Sequence, residues 1–241
     1  MIVAFSIVQF VVHGGFFMYL LLICSVVSVA TMILRGWALR RETVIPSWLW
    51  NRIEALQPGE TGPALDRLGQ TVRADSSPLG RITDVALNHL EWPRMENMEA
   101  VQTRARHEVI RMETGLVVLE VIVGIAPLLG LLGAVSGLVA VFSTMGASES
   151  ITDPRGIAKG IAEALNTTIA GLAIAIPSLI AYSYFSKKVE TLSVEMESII
   201  GEFLAKCYSR KHRGRTVATP GSSPAALSSA DARQEHGETV P

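Results

Sequence analysis

Only two of the 241 residues are cysteine, and nothing in the chain makes a pair of them. Cys24 falls in a long apolar run and Cys207 in a polar segment far downstream, so neither a disulfide nor a shared redox or metal site is expected. The five histidines are scattered, with no HExxH and no His/Cys spacing suited to zinc. Gly160 is not followed by a Lys-Ser/Thr at phosphate-loop distance. GLLGAVSG is glycine-rich but lies inside an apolar run instead of between a strand and a helix. Asn166-Thr167-Thr168 fits the glycosylation pattern, but its place in an apolar span empties that reading. No enzyme, metal, cofactor or nucleic-acid partner is indicated. Lysine and arginine are also missing before residue 35. The first apolar block therefore has no basic leader, and with no small-residue cleavage site and excess length it does not read as a signal peptide.

What is present is apolar sequence in blocks. Residues 16–34 carry no charge, 116–142 carry only Glu120, and 157–185 carry only Lys159 and Glu163. At about 1.5 Å per residue each block can cross a bilayer. The expected fold is an all-α membrane protein with three transmembrane helices and long cytoplasmic helical extensions. Eleven Lys/Arg lie between the first and second blocks, only Arg155 between the second and third with Lys159 just inside the third, and eight after the third. The positive-inside rule then puts the N-terminus outside and the C-terminus in the cytoplasm.

This divides the chain into an external segment (1–15), span one (16–34), a cytoplasmic helical region (35–115), span two (116–142), a short periplasmic loop (143–156), span three (157–185), a cytoplasmic helix (186–212) and a disordered tail (213–241). Pro46, Pro58, Pro63, Pro78 and Pro93 cut the 35–115 region into short helices, and from Arg94 a charged helix leads toward span two. After span three, Val189, Leu192, Met196, Ile199, Ile200 and Leu204 share one side of a helix. The tail is rich in Ser, Ala, Pro, Gly and Thr.

Spans two and three carry small residues at alternating four- and three-residue steps. Span two has Ala126, Gly130, Gly133, Gly137, Ala140 and Thr144; span three has Ala164, Thr168, Gly171, Ala175 and Ser178. Inside lipid such stripes let helix backbones approach closely, so these spans are expected inside an assembly and span one outside it. Pro127 and Pro177 are kinks or hinges. Glu163 lies six residues into span three, roughly 9 Å deep, with Asn166 and Thr167 on its face. A carboxylate in lipid is costly and faces protein or water. The strip either glues helices together or lines a proton path. Glu120, four residues inside span two, reads equally as an interfacial anchor or as part of a pore mouth.

Three stretches resemble the MotA/TolQ/ExbB proton-channel family, most closely its ExbB branch: HGGFFMYLLLICSVV, APLLGLLGAVSG (126–137) and GIAEALNTTIAGLAIAIP (160–177). The resemblance implies a bacterial inner-membrane pentamer around a central pore. It implies as partners an ExbD-like single-span subunit with an intramembrane Asp and a TonB-like protein whose outer-membrane transporters are energised by proton flow. By motif position Glu163 and Thr168 match the family's span-three carboxylate and threonine, whereas the helical wheel puts Thr167 with Glu163 and Thr168 on the small-residue stripe. Ala134 stands where the family has a span-two threonine; Ser136 lies about 200° away round the helix, and Asn166 is a candidate to compensate. A TolQ-like role in envelope integrity or division, a channel subunit of another motor system, and a non-conducting scaffold are the competing readings.

Overall fold

The computed structural model describes residues 15–59, 62–147 and 154–213. Residues 1–14 of the external segment, the middle of the 143–156 loop and the tail from residue 214 lie outside the described residues. Among those described, all regular structure is helical. The described residues form eight helices: α1 (Gly15–Ala38), α2 (Arg41–Val44), α3 (Ser47–Ala55), α4 (Pro63–Ala74), α5 (Pro78–Asn88), α6 (Arg94–Glu113), α7 (Leu116–Ala147) and α8 (Pro154–Arg213). Helices α1, α7 and α8 each hold a stretch long and apolar enough to cross a membrane.

The prolines set the boundaries of the short helices. Pro46 and Pro93 are the residues before α3 and α6, while Pro63 and Pro78 open α4 and α5, where a missing N–H costs nothing. Ser77 caps α5 by accepting a hydrogen bond from Gly80 N at 3.0 Å. Pro127 and Pro177 behave differently, because α7 and α8 continue through both. The charged helix α6 and span α7 are separated only by Thr114 and Gly115. Arg35, at the end of α1, lies over this break, and a Cβ on Gly115 would sit 1.8 Å from Arg35 Nε. Its Nη1 donates to Met112 O at 3.4 Å, placing a cation at the C-terminal end of α6.

Two differently built regions result. Beyond the spans, one large core joins α2 to α6 with the distal half of α8. Val189, Leu192, Met196, Ile199, Ile200 and Leu204 are all buried there, around Phe203 and Leu49. Within the spans the apolar core is small, made of Met18, Leu21, Ile122, Ala126 and Ala175. Large apolar side chains such as Val26, Leu128, Leu131, Ile169 and Ile176 point outward. This inversion is what a lipid solvent requires, since a Leu gains nothing by leaving it.

The small-residue stripes mate within one chain. A Cβ on Gly171 would come 2.5 Å from Ala126 O and 3.2 Å from Gly130 Cα. One on Gly130 would come 2.8 Å from Thr167 O. Gly133 abuts the Thr167 side chain and Gly137 abuts Ala164. Any association between copies would therefore use other faces. Span α1 crosses this pair, and Ser28 Oγ lies 2.7 Å from Ser178 Oγ, a buried hydrogen bond beside Pro177.

The extramembrane bundle contains a charge that the pattern alone does not reveal. The Glu108 side chain is 1% exposed and pairs with Arg81 and Arg104. Arg81 Nε donates to Glu108 Oε1 at 2.8 Å. Burial pushes this carboxyl up, but the Arg81 hydrogen bonds and the charges of Arg81, Arg104 and Arg111 outweigh it and hold it below its ordinary value. Because the folded value lies below the unfolded one, the pair contributes stability above about pH 4.3. That stability is lost as pH falls through the folded value. The thermal midpoint of the full chain in detergent, followed by helical circular dichroism, should therefore drop as the pH falls from about 5 to about 3, where carboxylates titrate. Glu108→Gln should cost about 3 kcal/mol at neutral pH and flatten that acid dependence. An unchanged midpoint would remove Glu108 from the stability account.

Candidate functional site

The site is built on α8 about two and a half to four turns after its start at Pro154, where it leans on α7. Glycine at 130 and 171 brings the two backbones close enough for side chains of one helix to reach carbonyls of the other. Thr167 Oγ1 donates to Gly130 O at 3.1 Å, with Ala164 O of its own helix at 2.7 Å. Thr168 Oγ1 also reaches Gly130 O, at 3.3 Å. Thr167 is 2% exposed and Thr168 is half-buried. Both threonines thus stitch α8 to one carbonyl of α7 within a single chain. The wheel separates them onto two faces, but the close helix approach brings both to the same acceptor.

Glu163 and Asn166 are placed differently. Glu163 retains 35% of its side-chain exposure, and Asn166 is half-buried. They form a polar edge beside the covered seam, flanked by the outward-facing Leu165 and Ile169. One turn nearer the helix start, Lys159 Nζ stands 3.9 Å from Glu163 Oε1. Composition and motif matching do not single out this pair, although the four-residue spacing of the span's two charges is its signal.

Ala134 is buried within the chain and brings no hydroxyl to the site. Gly130, Gly133, Gly137, Gly171 and Ala175 all lie at or beside the seam between α7 and α8 or the small core under α1. Pro127 is half-buried and Pro177 exposed. Glu120 sits at the opposite end of α7 from Glu163's neighbourhood, exposed, and makes no ion pair among the described residues. Cys24 and Cys207 are both free thiols, and burial pushes Cys207 up to about 11, which makes it a poor nucleophile at neutral pH.

Three span-length helices, a close glycine seam and a carboxylate kept in an apolar helix define a multi-pass membrane protein with an ionisable site in its spans. The chain belongs to the MotA/TolQ/ExbB proton channel family, whose model matches residues 74–198. A putative biopolymer transport protein, ExbB-like 1, from Synechocystis is 32% identical over 180 residues, covering 70% of this chain and 66% of that protein. The biopolymer transport protein ExbB of Helicobacter pylori is 45% identical over 78 residues, 32% of this chain and 53% of its own. The Tol-Pal system protein TolQ of Haemophilus influenzae is 31% identical over 106 residues, 44% of this chain and 46% of its own. The aligned part therefore spans about half to two thirds of the length of these relatives.

Proposed function

We propose that the chain is an ExbB-like subunit of an inner-membrane proton channel that uses the proton gradient to energise TonB-dependent outer-membrane transport. The observation that carries this reading is Glu163, an ionisable group inside an apolar helix that is neither sealed in the chain nor turned fully outward. A purely structural carboxylate in lipid would be expected to be enclosed by partners. Asn166 extends the polar edge toward the middle of the span. In this reading several copies, five by family resemblance, surround a pore with the Glu163 edge facing it. The N-terminus is periplasmic and the 35–115 region cytoplasmic, as the Lys/Arg distribution supports.

An ExbD-like single-span helix carrying an intramembrane Asp is the partner that completes the path, because neighbouring carboxylates can share protons. Pull-down of this chain from membranes should yield that subunit in fewer copies than the chain itself. Equal numbers of the two, or no single-span partner at all, would contradict a central partner helix. Proteoliposomes containing the pair should acidify when a proton gradient is imposed, read with a pH-sensitive dye; tight vesicles would count against the channel.

The likeness to TolQ supports a second reading, in which the same channel serves envelope integrity. Loss of TonB-type uptake against loss of envelope integrity in a deletion strain separates the two. The two threonines spent on Gly130 and the absent hydroxyl at Ala134 favour a third, a non-conducting scaffold, which the proteoliposome experiment decides.

A further inference from the structure

Lys159 has no part in the proton path assigned to Glu163, and the role inferred for it rests on that path. It lies on the same face of α8 as Glu163, one turn nearer the helix start, with Nζ 3.9 Å from Oε1. Arg155 is a further four residues back, so two cations precede the carboxylate along one face. Ile161, Leu165 and Ile169, by contrast, present the apolar side of this turn. Lys159 keeps 70% of its side-chain exposure, so it can approach or leave its partner.

A lone carboxylate at the mouth of an apolar path is a site for any small cation. We propose that Lys159 is the ion-specificity residue of this mouth: its ammonium holds the cation position of Glu163 and excludes Na+ and K+ while leaving proton exchange open. The distinction follows from where each charge goes. A proton bonds to a carboxylate oxygen, the carboxylate becomes a neutral acid, and the ammonium merely loses its counter-charge. A sodium ion at the carboxylate has to displace the ammonium or share the single negative charge with it, and two cations held by one carboxylate repel each other. Electrostatic barriers of this kind set selectivity in narrow paths.

The competing explanation makes Lys159 an interfacial anchor whose stem covers apolar surface. A hydrophobic carbodiimide, which modifies protonated carboxyl groups in apolar surroundings, separates the two without an activity assay. Membranes holding the full chain are treated at one fixed pH in NaCl or in choline chloride of equal concentration, and modification of Glu163 is followed by peptide mass spectrometry. The wild-type rate should be the same in both salts. Lys159→Gln should label at least threefold more slowly in NaCl, because sodium now competes with the proton, and Lys159→Arg should behave as wild type. Equal rates for Lys159→Gln in the two salts, or a wild type already slowed by sodium, would overturn the specificity role. Glu163 left unmodified in every protein in both salts would overturn it too, by removing the proton path beneath it.

Discussion

Gly171→Leu should leave no stably folded protein. The Cβ alone would lie 2.5 Å from Ala126 O and 3.3 Å from Ala126 C, so what must move is the backbone of α7, with no flexible side chain to absorb the clash. Separating the helices breaks the reach of Thr167 and Thr168 to Gly130 O and opens the small core of Ile122, Ala126 and Ala175. The loss should exceed the roughly 1–3 kcal/mol of an ordinary overpacking change. Gly130→Leu should match it, since that Cβ would meet Thr167 O at 2.8 Å and Thr168 Cα at 3.1 Å. Gly133 and Gly137, whose closest neighbours are side-chain atoms at 3.0 Å, should be milder. A Cβ on Gly124, in the same helix, would have nothing within 4 Å, so Gly124→Leu should leave the chain's own fold intact. Thermal unfolding in detergent orders the five variants. A stable Gly171→Leu, or equal damage from Gly124→Leu, would contradict the seam.

That ranking shows where sequence stops being informative. The three apolar blocks, the proline-bounded short helices and the buried side of α8 follow from composition and period, because each is a property of one segment. The glycine stripes are legible as close-packing surfaces, but their spacing is the same whether the partner is the next span or another copy. Only the fold places Gly130 against Gly171 of the same chain. Thr167 and Thr168 point to different faces on an isolated helix, yet both find Gly130 O once the backbones are close. Arg35 over Gly115 joins groups far apart in sequence, and neither residue type announces the contact. Glu108 looks like any other charge on α6 until Arg81, from another helix, covers it. Glu163 is the opposite case, since an ionisable residue in an apolar run is conspicuous in the sequence alone.

The second large effect is expected at Glu163 itself. Glu163→Gln keeps the side chain's shape and hydrogen-bonding capacity while removing its ionisation. Glu163 pairs with Lys159 on its own helix, and the threonine hydrogen bonds that join α7 and α8 do not involve it, so the variant should fold and assemble as wild type. A proton relay would still lose its titrating group, at a cost of about 10²-fold or more, the scale typical of a positioned proton-transfer group. Glu163→Asp keeps the acid and shortens its reach, and should retain part of the flux. If the carboxylate only glues helices, the order reverses. A neutral amide bonds well between helices in lipid, so Gln would be tolerated, and the shorter Asp would lose its contacts.

The direct test is proton flux into proteoliposomes holding the chain with the proposed single-span partner, measured side by side for wild type, Glu163→Gln and Glu163→Asp, with oligomer size checked on each preparation. A proton path through Glu163 predicts intact oligomers throughout, flux abolished in the Gln variant and partly retained in the Asp variant. Wild-type flux through an intact Glu163→Gln complex would contradict it.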